Sequence, residues 1–237
     1  MYYEIDDIIL EVILPDGNKL IFRPFYTSEP EIVIDLYKYE HYARLYLEKG
    51  QTILDIGSHI GVFALKAAKI VGSSGRVLCF EPQPDNFELL LKNIEINNYK
   101  NIIAFKIAIF NKKGSARLYQ SPSAIAHSIV FPRSKEWILV EMNTIDNILN
   151  NLNINKIDAI KIDAEGAELK VLKGAINTLE AFKPKVAVAS YHTPTQVYEV
   201  LKFFRTIEYE TIIDQVLASP YRAIQAMVPI VYGYPKE

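Results

Sequence analysis

Short apolar runs alternate with amphipathic segments along most of the chain from Thr52 onward. The runs at 77–80 and 102–105 are apolar throughout, which is typical of strands buried on both faces of a parallel sheet. The pattern predicts strands at 52–56, 76–81 and 102–108 and helices at 61–71 and 84–97. This alternation favours an α/β fold with a doubly wound, mostly parallel sheet and right-handed crossovers.

The alternation is interrupted between 111 and 146 and then resumes. The interrupting segment has apolar residues on both sides, so we interpret it as an insertion near the ligand-binding edge, with a short strand at 115–119. Beyond it the pattern predicts a strand at 157–163, a helix at 167–179, a strand at 184–190, a helix at 195–206 and strands at 209–217 and 223–232.

The first 50 residues have a different pattern. Apolar and polar positions alternate on either side of the turn at 15–18, where Gly17 can take a positive φ, so a β-hairpin is predicted over residues 2–25. Ser28 begins a helix that we expect to reach about Glu48 and to end at Gly50. We therefore divide the chain into an N-terminal hairpin and helix, 1–50, and one globular unit, 51–237.

Composition narrows the class of protein. Of the 237 residues 50% are hydrophobic and 23% charged, and a formal net charge of −2 gives no electrostatic reason to expect nucleic acid as a partner. The single cysteine, Cys79, excludes an internal disulfide and falls in an apolar run, where we expect it in the core. The first residues are acidic and no apolar run is long enough to span a membrane, so we expect a cytoplasmic protein without a membrane partner.

The stretch from Thr52 to Gly61 predicts a small-ligand site. An apolar strand is followed by a glycine turn and a helix N-terminus, where backbone N–H groups can meet a polar ligand. A dinucleotide fingerprint requires a glycine at the position of His59 and another at Val62, so a pyrophosphate would meet side chains here. A ligand without phosphates, such as S-adenosylmethionine, suits the turn better.

The same turn carries a family resemblance. Asp55-x-Gly57-x-x-x-Gly61 resembles the first motif of class I S-adenosylmethionine-dependent methyltransferases, and the block from Ile160 to Ala175, with its Asp-Ala-Glu-Gly-Ala-Glu core, is similar to the signature of the FkbM family within that class. Residues 80–84 and 140–146 resemble that family too. The resemblance implies a Rossmann-like sheet with an antiparallel edge strand, S-adenosyl-L-methionine as cofactor, S-adenosyl-L-homocysteine as product, and O-methylation of a sugar, polyketide or similar hydroxyl.

In an open α/β sheet, ligands bind beyond the carboxyl ends of the strands, so the predicted strand ends should meet. Glu81 ends the second strand, where its two oxygens can accept both ribose hydroxyls of an adenosyl group; the alternative is a cap for the helix beginning near Pro84. The predicted cofactor-binding residues are Asp55, Gly57, Ser58, His59, Gly61, Glu81, Pro82, Ala108, Asn111 and Asp163.

Three of these assignments have alternatives. By the resemblance, Asp55 lies near the amino group of the ligand, but it could instead brace the turn by accepting backbone N–H groups. His59 either meets the methionine end of the ligand or is an exposed turn residue. Asn111, with Ala108, falls where an adenine edge would lie, but it could equally begin the turn that follows.

Candidate catalytic groups follow the fourth and fifth core strands. An alcohol acceptor needs a base for its proton, and Asp163, Glu165 and His192 are the candidates, whereas Glu168 is interpreted as a first-turn acid. Catechol-type enzymes of class I hold magnesium with acids at these two strand ends. Here the fifth strand ends in Ser-Tyr-His without a paired acid, so no metal is assigned, although the three candidates could still form a weak site.

Further alternatives concern the acceptor and the overall role. His41 lies among tyrosines on the predicted N-terminal helix, which either packs or covers the cofactor, and Ser123, His127 and Ser128 could line the acceptor pocket. We expect a small-molecule acceptor and leave a homo-oligomer open. N-methylation of a small molecule or peptide, and a non-catalytic adenosyl-binding module, remain alternative functions.

Overall fold

The computed structural model describes residues 9–24, 28–120, 127–132, 134–218 and 227–236, and its centre is a sheet of seven strands in this part of the chain. In order across the sheet these are β5 (Ile102–Phe105), β4 (Arg76–Phe80), β3 (Thr52–Ile56), β9 (Ala159–Ile162), β10 (Lys185–Ala189), β12 (Met227–Pro235) and β11 (Tyr209–Leu217). The first five are parallel, and β12 runs antiparallel to both of its neighbours. The predicted fold class is confirmed, with the reversed strand one position in from the edge.

Helices cover both faces of this sheet. They are α1 (Ser28–Tyr37), α2 (Val62–Val71), α3 (Pro84–Ile96), α4 (Ile145–Asn151), α5 (Glu168–Lys173), α6 (Ile176–Phe182) and α7 (Gln196–Thr206). Side chains of a strand alternate between faces, so Ile53 joins the core formed with α1, α2 and α3 while Leu54 joins the core formed with α4 to α7. Cys79 is buried in the first of these cores, as predicted. No helix in the described ranges combines the length and apolarity needed to cross a bilayer.

The N-terminal hairpin packs on α3 through asparagine side chains. Strands β1 (Leu10–Ile13) and β2 (Lys19–Phe22) pair antiparallel, which confirms the predicted hairpin for its described residues. The buried Asn93 side chain accepts a hydrogen bond from Ile21 N (2.6 Å) and donates to Ile21 O and Ile60 O (both 2.9 Å). One side chain therefore ties the hairpin to the loop that begins the functional site.

The interrupting segment forms a second, three-stranded sheet. Its order is β6 (Ala108–Ile109), β8 (Trp137–Asn143) and β7 (Gly114–Tyr119), with β6 parallel and β7 antiparallel to β8. The strand predicted at 102–108 is therefore wrong at its end, because the chain leaves the main sheet after Phe105 and joins this smaller one. Similarly, the last strand begins at Met227 in the described residues, and its predicted start at 223 lies outside them.

The helix predicted from Ser28 to about Glu48 is too long. It ends at Tyr37, and the chain continues through a short 3₁₀ turn at Ala43–Leu45 flanked by Tyr42 (φ 65°) and Tyr46 (φ 46°) in the left-handed region. No proline or glycine marks this end. Tertiary contacts decide it, because the turn directs Tyr42 toward the ends of the sheet strands, whereas His41, no longer helical, reaches Leu217 O with Nε2 (2.8 Å).

The helix predicted at 167–179 is divided in two. The break between α5 and α6 falls at Gly174, where an added Cβ would lie 2.1 Å from Phe110 O, so the close approach of the second sheet requires glycine. Asp146 then takes over the capping of α6, since its carboxylate accepts hydrogen bonds from Asn177 N (3.1 Å) and Thr178 N (2.9 Å).

Candidate functional site

A cavity opens at the carboxyl ends of β3, β4 and β9, where the sequence predicts the ligand. Its walls come from the glycine turn after β3, the loop after β4, the second sheet, the loop after β9 and the N-terminal segment. The predicted residues that line it are Gly57, Ser58, His59, Glu81, Pro82, Ala108, His127, Asp163 and Glu165. Residues from α1 and the turn after it, Ile32, Asp35, Leu36, His41 and Tyr42, form the wall contributed by the N-terminal segment.

The glycine turn is held tightly against its neighbours. Gly57 has φ 74°, and a Cβ there would lie 1.8 Å from Asp163 O, so the turn and the loop after β9 meet backbone to backbone. Gly61 has φ 95° and faces Leu90 of α3, which a Cβ would approach to 2.6 Å. Ser58 Oγ donates to Asp55 O (2.7 Å) and accepts from Phe80 N (3.0 Å), so its hydroxyl braces the turn. Both glycines are thus packed against other parts of the protein, and of the two Gly57 alone lines the cavity.

A buried ion pair lies directly beneath this turn. Asp55 and Lys161 are opposite each other in the register of β3 and β9, and Lys161 Nζ lies 3.1 Å from Asp55 Oδ1 with both side chains buried. The same ammonium donates to Gly57 O (2.8 Å). Burial alone would lower the pKa of Lys161, but the carboxylates of Asp55 and Asp163 raise it, so Lys161 is a cation.

This pair changes the predicted role of Asp55. The Asp55 side chain is fully buried and does not line the cavity, so the structure does not place it against a ligand. It does brace the turn, as the alternative proposed, but it does so through the Lys161 ammonium and not by accepting backbone N–H groups.

Glu81 occupies the end of β4 with both carboxylate oxygens engaged by backbone. Oε2 accepts from His59 N (2.9 Å) and Oε1 from Gln83 N (3.0 Å), so Glu81 joins the glycine turn to the loop after β4. Helix α3 is capped by the Gln83 side chain, which accepts from Asn86 N (2.7 Å), so Glu81 is not the helix cap. Burial raises the pKa of Glu81 to about 7. Each oxygen keeps a further lone pair for a ligand hydroxyl.

Asp163 lines the cavity at the end of β9. Its Oδ2 accepts a hydrogen bond from Tyr42 OH (2.9 Å), and Tyr191 OH lies 3.4 Å away. Burial raises the pKa of Tyr42 well above its ordinary value, so the hydroxyl keeps its proton and donates. The Tyr42 ring packs edge-on against Phe63 (5.8 Å between centroids), which fixes its position.

His192 lies among three acids next to Asp163. Its Nδ1 is 2.9 Å from Glu168 Oε1, and its Nε2 is 3.5 Å from Glu165 Oε1 and 3.6 Å from Asp163 Oδ1. Burial alone would lower the pKa of His192, but the carboxylates of Glu165 and Glu168 raise it well above its usual range. A protonated His192 cannot accept a further proton, so Asp163 and Glu165 remain the candidates for the base.

Glu168, interpreted from the sequence as a first-turn acid of α5, also binds the backbone of the loop after β9. Its fully buried carboxylate accepts hydrogen bonds from Ala164 N (2.9 Å) and Gly166 N (3.2 Å) and from the Gln196 side chain. It therefore shapes the loop that carries Asp163 and Glu165. Glu165 itself has φ 49°, an unfavourable conformation for a residue with a side chain, which this network holds in place.

The remaining predicted residues lie at different places relative to the cavity. Asn111 is exposed and lines a separate groove with Thr144 and Gly174, so the structure does not bring it to the cavity. The Ser128 hydroxyl donates to Glu165 O (2.7 Å) and thus supports the loop after β9. Ser123 lies outside the described residues. Burial lowers the pKa of His127, which lines the cavity, to about 4, so its imidazole is neutral.

Two residues of this site, Lys161 and Tyr42, were not predicted from the sequence. Lys161 carries a signal that could have revealed it, because a lysine between Ile160 and Ile162 in a buried strand requires a partner. Tyr42 falls within the predicted N-terminal helix, which was expected either to pack or to cover the cofactor, and no local signal indicates the turn that brings its hydroxyl to Asp163.

The sheet order, with its reversed strand and its cavity at the glycine turn, is that of a class I methyltransferase. The chain belongs to the FkbM methyltransferase family, since residues 55–211 match the methyltransferase FkbM domain.

Individual relatives agree with this assignment. The chain is similar to the hexuronic acid methyltransferase AglP of Haloferax volcanii, with 26% identity over 171 residues, which cover 71% of this chain and 68% of AglP. It is similar in structure to methyltransferase FkbM from Methylobacillus flagellatus (TM-score 0.57, 22% identity), covering 79% of this chain but only 44% of that one. A SAM-dependent methyltransferase from Aquifex aeolicus has a TM-score of 0.54 at 15% identity, with 90% and 98% of the chains covered.

The buried ion pair predicts a large cost for removing one partner. Lys161→Met leaves the Asp55 carboxylate buried without its counterion, so we expect the free energy of unfolding in urea to fall by about 3–5 kcal/mol. Asp55→Asn combined with Lys161→Met removes both charges and should recover much of that loss. Lys156→Met, which breaks the exposed pair with Asp158, is the control and should cost less than about 1 kcal/mol. Wild-type stability of Lys161→Met would contradict the role of the pair.

Proposed function

We propose that the protein transfers the methyl group of S-adenosylmethionine to a hydroxyl of a small molecule and releases S-adenosylhomocysteine. The observation that carries this proposal is that Glu81, Asp163 and the glycine turn all line one cavity. The cavity thus brings together backbone groups of the glycine turn and a carboxylate that can accept a proton.

The residues near the glycine turn fit the adenosyl cofactor. Gly57 exposes backbone to the cavity, and His59 stands where a dinucleotide fingerprint has its phosphate-binding glycine. Glu81 would accept the ribose hydroxyls, and the apolar Ala108 and Ile109 would flank the adenine. When bound, S-adenosylmethionine supplies a methyl group on a positively charged sulfonium.

The acids that line the cavity after β9 would hold the acceptor and take its proton. Asp163 or Glu165 would accept the hydroxyl proton as the oxygen forms its bond to the methyl carbon. Tyr42 fixes Asp163 by its hydrogen bond, and with Leu36 and Phe63 it excludes water from one side of the cavity. A hydroxyl must lose a proton during transfer, whereas a carboxylate need not, so a site built around acids suits an alcohol.

The relatives suggest the chemical class of the acceptor. AglP is named for a hexuronic acid, which suggests that a sugar or similar polyhydroxylated molecule is the acceptor here. Asp163 and Glu165 both line the cavity, and an acceptor carboxylate would add a third negative charge at short range. We therefore favour a neutral sugar hydroxyl over a uronate carboxyl.

The ribose role of Glu81 predicts a pH dependence of cofactor binding. Because its pKa is about 7, Glu81 becomes a carboxylate, the better acceptor, as the pH rises from 6 to 8, and affinity for S-adenosylmethionine should rise over the same range. Glu81→Gln should bind at least about tenfold more weakly at pH 8 and lose this dependence. Calorimetry measures both, with the exposed Glu88→Gln on α3 as control. Equal affinities of wild type and Glu81→Gln at pH 8 would exclude the ribose role.

The acceptor side is tested by a labelled methyl-transfer screen. Neutral sugars and other hydroxylated metabolites are compared with matching uronates and amines. We expect transfer to a neutral hydroxyl, with turnover reduced about 100-fold or more in Asp163→Asn, because the amide keeps the Tyr42 contact but cannot take a proton. Cofactor affinity should stay close to wild type. Transfer to amines alone would support N-methylation instead, and unaltered turnover would remove Asp163 as base.

A further inference from the structure

The three side chains Asp163, Glu165 and His192 come together from two strand ends, although a metal was not assigned from the sequence. One donor atom from each lies within 4.8 Å of the other two. We propose that these residues form a binding site for a divalent transition-metal ion, open toward the cavity.

The spacing of the donors matches metal coordination better than hydrogen bonding. His192 Nε2 lies 3.5 Å from Glu165 Oε1 and 3.6 Å from Asp163 Oδ1, beyond ordinary hydrogen-bond lengths. Ligands about 2.1 Å from a tetrahedral ion are separated by about 3.4 Å. Both histidine–carboxylate distances are therefore close to the separation that an ion between the donors would require.

The state of His192 supplies an independent observation. Its side chain is 6% exposed, and Nε2 lies 3.5 Å from Glu165 Oε1 and 3.6 Å from Asp163 Oδ1 without forming a well-aligned hydrogen bond among the described residues. Its other nitrogen, Nδ1, is 2.9 Å from Glu168 Oε1. A carboxylate on the far nitrogen is the usual support of a metal-binding histidine, because it fixes the ring and leaves the second nitrogen for the ion.

The site is anchored on one side and open on the other. Glu168 is itself fixed by Ala164 N and Gly166 N, so the loop bearing two of the donors is already shaped. Asp163 and Glu165 line the cavity, so an ion there would have further positions facing its contents. Three protein ligands with an open position are the pattern of catalytic and not of structural metal sites.

The donor set indicates which ion would bind. Carboxylates suit magnesium, calcium and manganese, whereas an imidazole suits zinc, copper, iron and nickel. A mixed set of two carboxylates and one imidazole therefore selects a transition ion over magnesium. The role of the ion, binding the acceptor oxygen and making the acceptor hydroxyl more acidic, rests on the proposed function.

The test is a Co²⁺ titration of the full chain after metal removal, without cofactor or acceptor, followed by visible absorption. We expect one saturable site whose bands report nitrogen and oxygen ligands, displaced by Mn²⁺ or Zn²⁺ at lower concentration than by Mg²⁺. Glu165→Gln and His192→Ala should each weaken Co²⁺ binding at least about tenfold, and Glu168→Gln by about 10–100-fold. His127→Ala, which removes another cavity histidine, is the control and should bind like wild type.

Thermal melts of each variant show which are folded, and Glu165→Gln, which keeps the side-chain shape at the cavity wall, is the decisive one. Absence of saturable Co²⁺ binding by wild type, or unchanged binding by folded Glu165→Gln, would overturn the metal site. S-adenosylmethionine binding measured in chelator is a separate readout. Its persistence without any Co²⁺ site would leave the proposed function standing, whereas its loss would refute that function alone.

Discussion

The ion pair between Asp55 and Lys161 is the interaction on which the rest of the site depends. Two charges buried between neighbouring strands are costly unless they are paired, and here Lys161 Nζ lies 3.1 Å from Asp55 Oδ1. The ammonium also holds Gly57 O, so the pair couples the sheet to the glycine turn. Because Gly57 in turn contacts Asp163 O, the position of one wall of the cavity fixes that of the other.

A second hydrogen-bond network fixes the loop after β9. Glu168, buried at the start of α5, gathers backbone N–H groups of the loop after β9 together with His192 and Gln196. The loop keeps Glu165 in a strained conformation, and such strain persists only where the surroundings determine it. The two networks use the same principle: buried charges specify backbone positions that apolar packing alone would leave undetermined.

The sequence predicted the sheet and most of the cavity because those depend on local pattern. Apolar runs located β3, β4 and β9, and the rule that parallel strands present ligands at their carboxyl ends placed Glu81 and Asp163 together. It failed where tertiary contacts override local preference. Nothing near Tyr42 signals the end of α1, and the break at Gly174 depends on the backbone of Phe110, which is distant in sequence.

The role of charged groups was harder still to predict. Asp55 was expected either near a ligand or bracing the turn. Its ion pair with Lys161 was not predicted, because Lys161 stands more than 100 positions later and only strand register joins the two residues. His192 was a candidate base in the sequence. Its charge could not be predicted there, because only the fold brings three acids near it. Residue type and spacing identify where chemistry can occur, but protonation depends on the assembled surroundings.

Calorimetric titration of the full chain with S-adenosylmethionine, S-adenosylhomocysteine and NAD shows whether the glycine turn binds an adenosyl-sulfur ligand without phosphates. We expect both sulfur ligands to bind at a single site and NAD not to compete with them. Tight binding of NAD, with no binding of either sulfur ligand, would contradict this expectation.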